Sequence, residues 1–131
     1  MPGHIIRAKD VMQKEIYSID GMASARDAAA MMRSSKTSEL LVAKRNDDDA
    51  WGIVTIMDLI KKVFLPDQDP ENIFVYEIMT KPVIMVPAQM DIRYVIRLMQ
   101  RIYVRRVPVE DKGEIIGMIT LYSLVLNHDI L

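Results

Sequence analysis

A threonine and an aspartate three residues apart, Thr55 and Asp58, sit where the run Gly52-Ile53-Val54 gives way to an apolar stripe of helical spacing. That spacing is a capping box: Thr55 would cap the helix and Asp58 would reach back to its amide. The carboxylate would also suit the positive end of the helix dipole. Further on, Arg105-Arg106 opens a second strand-like run. Neighbours on a strand face opposite ways, and such arginines commonly form solvated ion pairs. An arginine fork also matches the oxygens of a phosphate. Little else could do chemistry. Ser34, Ser35 and Ser38 have no His–acid pair to activate them, and His4 and His128 lack metal-ligand spacing. The five glycines form no phosphate-cradling loop, and there is no cysteine to serve as nucleophile or thiolate ligand. The chain is expected to bind and not to catalyse, with no cofactor required.

The elements that must hold these residues come twice. Lys9-Asp10-Val11-Met12 returns 67 positions later (79 − 12) as Tyr76-Glu77-Ile78-Met79, and Gly52-Ile53-Val54-Thr55 returns 65 later (117 − 52) as Gly117-Met118-Ile119-Thr120. The two-residue difference falls in the charged stretch 44–49, a turn that absorbs length changes at little cost. The duplication predicts a first repeat at 7–64, a linker at 65–72 and a second repeat at 73–131.

Each repeat reads as β-α-β-β-α. Ile16–Ile19 and Val83–Val86 are short apolar runs of strand type. A helix follows, capped by Ser24 over Ala25, Ala28, Ala29 and Met32 in the first repeat. In the second it is capped by Asp91 over Ile92, Val95, Ile96 and Met99. Then come two strands joined by turn-forming residues, Asn46-Asp47-Asp48-Asp49 and Asp111-Lys112-Gly113. A last helix carries Ile56, Leu59, Ile60, Val63 and Phe64 in the first repeat, and Leu121, Leu124, Val125 and His128 in the second. With 131 residues, half of them hydrophobic, 6% aromatic and 11 methionines, the core must be aliphatic and Met-rich. A unit of about 60 residues is marginal alone, so the two are expected to pack together.

In this order and spacing, Asp10-Val11-Met12 with Gly52 to Leu59, and Glu77-Ile78-Met79-Thr80 with Arg105 to Asp111 and Gly117 to Leu124, resemble the CBS domain family over nearly the whole chain. The resemblance implies an α/β (α+β) fold of two β-α-β-β-α repeats packed sheet to sheet with pseudo-twofold symmetry. It also implies a regulatory module that takes AMP, ADP, ATP or S-adenosylmethionine in the cleft between repeats. Asp58, beside Thr55, would accept the ribose diol, and Arg105 and Arg106 would meet phosphates. Ile78, Met85, Val86, Pro87 and Val107 would wall the adenine, although for Ile78, Met85 and Val107 a place in the core is the commoner role, since both require an apolar wall. A second cleft, built on Ser18, Ile19, Ser38, Thr120 and Ser123, would be weaker. Ser123 stands where the acid should be, and Glu39 beside Ser38 would repel an anion. One adenosyl-phosphate site per chain is therefore expected.

The other reading of the same residues is a ligand-free dimerisation or scaffold module in which Asp58 only caps its helix. Homodimerisation and an unidentified regulated protein are the partners the resemblance implies. A net charge of −1 and a pI of about 6.1 argue against nucleic acid as the main partner. The absence of an 18-residue apolar run argues against a membrane span, and a cytoplasmic location is expected.

Overall fold

The central helix of each repeat forms where the caps place it. In the computed structural model, which describes residues 4–131, Ser24 Oγ accepts from Asp27 N at 3.0 Å and Asp27 Oδ2 accepts from Ser24 N at 3.2 Å. Helix α2 (Ala25–Ser35) starts there and turns Ala25, Ala28 and Met32 into the core. In the second repeat Asp91 Oδ1 accepts from Arg93 N at 2.8 Å, and α5 (Ile92–Arg101) buries Ile92, Val95 and Met99.

Each helix crosses between two parallel strands of a three-stranded sheet. In the first sheet β1 (Ser18–Ile19) pairs parallel with β2 (Glu39–Val42), which pairs antiparallel with β3 (Gly52–Thr55). In the second, β4 (Val86–Pro87), β5 (Arg106–Asp111) and β6 (Glu114–Thr120) repeat the arrangement, with a register shift at Val109/Glu110. The β5–β6 turn is Lys112-Gly113, with φ of 51° and 84°. Positive φ at both central residues suits the right-handed twist of a hairpin. The fold is thus mixed α and β with two equivalent sheets.

Two short helices went unread in the sequence. They are α1 (Ala8–Val11) and α4 (Val75–Ile78), each opening its repeat, so the observed order is α-β-α-β-β-α. They also explain why the chain divides into units of 17–83 and of residues up to 16 with 84–131. Ala8 N donates to Met90 O at 2.8 Å, and Gln13 and Met118 exchange both backbone bonds, so the first repeat's opening segment joins the second sheet. Within the other unit, Val75 N donates to Ala23 O at 2.8 Å, and Thr80 and Ile53 exchange both bonds. The apolar runs give strands shorter than expected. Ile16 and Tyr17 lie before β1, and Val83 donates to Trp51 O while only Val86 and Pro87 enter β4.

Each unit has its own aliphatic core. Leu40, Val42, Val54, Val63, Val75 and Ile78 belong to one, and Val86, Val95, Met99, Val107, Ile119 and Leu124 to the other.

The long β2–β3 turn is fastened by Asp49, whose side chain is only 8% exposed. Its Oδ1 lies 2.6 Å from Lys81 Nζ, and its Oδ2 accepts from Arg45 N and Nε at 2.9 and 3.1 Å. Lys81 foremost, then Arg45, hold this carboxyl far below the usual carboxylate range. A folded-state pKa below the unfolded value near 3.8 adds stability above that value and loses it as pH falls toward the folded one. Lys81→Met should therefore lower the melting temperature at neutral pH, and the deficit should narrow as the melts are taken below about pH 4.

Candidate functional site

The capping box foreseen at Thr55 forms. Helix α3 (Ile56–Leu59) begins after Thr55 and runs without a break into a π-helical turn, Ile60–Phe64. Asp58 Oδ2 accepts from Thr55 N at 2.9 Å and from Thr55 Oγ1 at 3.2 Å, while Asp58 N donates to Thr55 Oγ1 at 3.3 Å. The other carboxylate oxygen faces a residue the sequence reading overlooked. Lys62 Nζ lies 3.3 Å from Asp58 Oδ1 and donates to Ile78 O at 2.9 Å. The signal was available: an acid four residues before a lysine is the favoured order for a helical ion pair.

Ser38 sits beside this helix start, because Ile56 N donates to Ser38 O at 3.0 Å. Its hydroxyl donates to Glu39 Oε2 at 2.6 Å, and Glu39 is buried. A depression of about 490 Å³ lies alongside, lined among others by Ser38, Thr37, Ile56, Arg33 and Lys36. Cations do therefore stand near Ser38, but α2 and its C-cap supply them and not the strand.

The second repeat builds the same corner from different groups. Leu121 N donates to Arg105 O at 3.0 Å, which sets Arg105 beside the start of α6 (Leu121–Leu126). Thr120 Oγ1 accepts from Ser123 N at 3.0 Å, and Ser123 Oγ donates back to Thr120 O at 3.1 Å. Ser123 is 1% exposed, so its hydroxyl is spent on the cap. Arg105 is exposed, whereas Arg106 is half-buried and engaged within the protein. His128 lies beyond the end of α6 and not on its stripe.

The apolar residues expected around adenine divide into two kinds. Ile78, Val86 and Val107 are core side chains, while Met85 is half-buried and Pro87 exposed. Ile19 is likewise buried and Ser18 exposed.

Both last helices leave an apolar face in solvent. Ile56, Met57 and Ile60 of the first repeat are exposed, as are the matching Tyr122 and Val125 of the second, with Phe64 and Leu65 continuing the first face. Among the described residues no group of His, Cys, Asp or Glu could hold a metal ion, and no helix is long and apolar enough to cross a membrane.

Two copies of one α-β-α-β-β-α unit, each with a capped helix after its hairpin, are what a pair of CBS domains contains. The chain matches the CBS domain family over residues 8–65 and 75–127 and belongs to it. Among solved structures it is similar to a hexameric CBS-CP12 protein from bloom-forming cyanobacteria. The two share 33% sequence identity and a TM-score of 0.91, over 95% of this chain and 69% of the other. An uncharacterized protein of Methanopyrus kandleri is 27% identical over 117 residues, 88% of this chain and 59% of that protein. A homoserine O-acetyltransferase of Methanocorpusculum labreanum is 32% identical over 121 residues, 92% of this chain but 24% of that enzyme. The chain thus spans about three fifths of the first relative's length and a quarter of the second's.

Proposed function

We propose that this CBS pair is a regulatory module that binds an adenosyl compound of the AMP, ADP, ATP or S-adenosylmethionine class, one per chain. In this reading Asp58 accepts from the ribose, Arg105 meets phosphate, and Met85, Pro87 and nearby backbone groups receive the adenine. Arg106, already engaged, would have to be drawn from its present partner. The observation that carries the reading is the division of labour at Asp58, where one carboxylate oxygen makes the cap and the other is left outside it. The second repeat cannot match this, because Ser123 is buried and closed on Thr120. A ligand could regulate only by binding one arrangement of the module more tightly than another. The regulated partner would be a separate protein or another part of a longer chain.

The scaffold reading has an observation of its own, the exposed apolar faces of α3 and α6 at matching positions of the two repeats. In that reading these faces join two copies of the chain as a homodimer. One pair of measurements separates the readings. Thermal melts with AMP, ADP, ATP and S-adenosylmethionine should show stabilisation by one class, about 2.7 kcal/mol at a hundred times its dissociation constant. Light scattering should report a dimer in either case. No shift with any of the four compounds, in a protein that still dimerises, leaves the scaffold reading alone standing.

A further inference from the structure

We propose that Lys62 limits Asp58 to a single sugar hydroxyl, so that the site reads one hydroxyl and not a diol; the inference rests on the adenosyl reading above. An ionised carboxylate offers about four lone-pair positions, two on each oxygen. At Asp58 both positions on Oδ2 are taken, by Thr55 N and Thr55 Oγ1. Oδ1 carries the Lys62 ammonium at 3.3 Å. One position remains. Paired recognition of neighbouring 2′ and 3′ hydroxyls therefore requires Lys62 to leave.

Lys62 has a reason to stay. Its Nζ also donates to Ile78 O at 2.9 Å, so withdrawal breaks two contacts at once. That carbonyl ends α4, where the helix dipole favours a cation. The device belongs to the first repeat alone, because Asn127 and Ser123 stand where Lys62 and Asp58 would fall in the second. Lys62 is also 47% exposed along its side chain, so it can be replaced without disturbing the core.

The consequence is a selectivity that the acid alone would not give. With Lys62 in place, a ligand lacking either hydroxyl keeps its contact through the other, and only loss of both removes it. Lys62→Met opens the second position on Oδ1. A diol then gains one more hydrogen bond to a charged acceptor, worth about tenfold in affinity. Ligands compared at the same phosphate count feel the lost lysine charge equally, so the ratio of their affinities isolates the hydroxyls.

The test is calorimetry of the full chain and of Lys62→Met with AMP, 2′-deoxy-AMP, 3′-deoxy-AMP and 2′,3′-dideoxy-AMP, with circular dichroism to verify the variant's fold. The expected result for the unmodified chain is that either single deletion is tolerated and the double deletion weakens binding. In Lys62→Met each single deletion should cost about tenfold. Matching profiles in the two proteins, with AMP binding still dependent on Asp58, overturn the proposal and leave the adenosyl reading in place. No binding of AMP, ADP, ATP or S-adenosylmethionine by the unmodified chain removes the adenosyl reading and this proposal with it.

Discussion

Gly117→Ala is expected to cost about 2–3 kcal/mol, because overpacking a closed site and spoiling a hydrogen-bonded pair act together. At about 4 °C per kcal/mol for a domain of this size, the melting temperature should fall by roughly 10 °C. The glycine leads a stretch that the sequence repeats, Gly117-Met118-Ile119-Thr120, and the reason it must be glycine lies in the opening segment of the other repeat. A Cβ built at Gly117 would lie 2.5 Å from Met12 Sδ and 2.8 Å from Gln13 O. The methionine could swing away, but the carbonyl cannot. Gln13 O accepts from Met118 N at 2.9 Å, and Met118 O accepts from Gln13 N at 2.8 Å. Met12→Ala should therefore fail to rescue Gly117→Ala.

Gly52 plays the same part in the first repeat with more room, since its Cβ would lie 2.9 Å from Met79 Sδ and 3.2 Å from Thr80 O. Gly52→Ala should be the milder of the two. Gly113 supplies the contrast: it has φ of 84° and open space around it, so Gly113→Asn, which tolerates that region, should change stability by less than about 0.5 kcal/mol. Chemical denaturation of the four variants gives the order directly. A Gly117→Ala protein as stable as the original would mean the opening segment does not press on β6.

Those glycines mark where the sequence was informative and where it stopped. Local signals were legible. Ser24 with Asp27, Asp91, and Thr55 with Asp58 each announce a helix start that the chain can make with residues two or three apart. The Lys112-Gly113 turn and the Ile92, Val95, Met99 stripe are equally local. What was missed is what non-local bonding decides. Four residues such as Ala8–Val11 cannot show helical periodicity, and this helix is held by Met90 and Ala88 carbonyls about 80 positions away. The same dependence shortens the strands, because an apolar run becomes a strand only where a partner edge exists. β2 offers β1 just Leu41 and Val42. At the candidate site the acid was visible because it belongs to a motif. The Asp58–Lys62 spacing also announced the ion pair, but the π turn was not visible, since nothing at 60–64 distinguishes it from an ordinary helix.

Asp58→Ala should weaken binding of an adenine nucleotide by about tenfold, the worth of one hydrogen bond to a charged acceptor, while Ser123→Ala should leave it unchanged. The two positions correspond, so a module with equivalent sites would respond to both. They differ in what the side chain already does. Ser123 is buried and its hydroxyl returns to Thr120 O, so alanine removes only an internal bond. Asp58 keeps an oxygen outside its cap. Alanine there does not unmake the helix start, because Asp58 N still donates to Thr55 Oγ1. The loss of fold stability should stay near 1 kcal/mol, small enough for binding to be measured on folded protein. Arg105→Ala provides the internal control. A residue that meets phosphate should matter for AMP and ATP and be silent for adenosine, whereas Asp58→Ala should weaken all three alike because each carries the sugar. If Arg105→Ala and Asp58→Ala gave the same pattern across adenosine, AMP and ATP, the two side chains would not be reading different parts of one ligand. An Asp58→Ala protein that bound all three as before would make Asp58 a helix cap and nothing more.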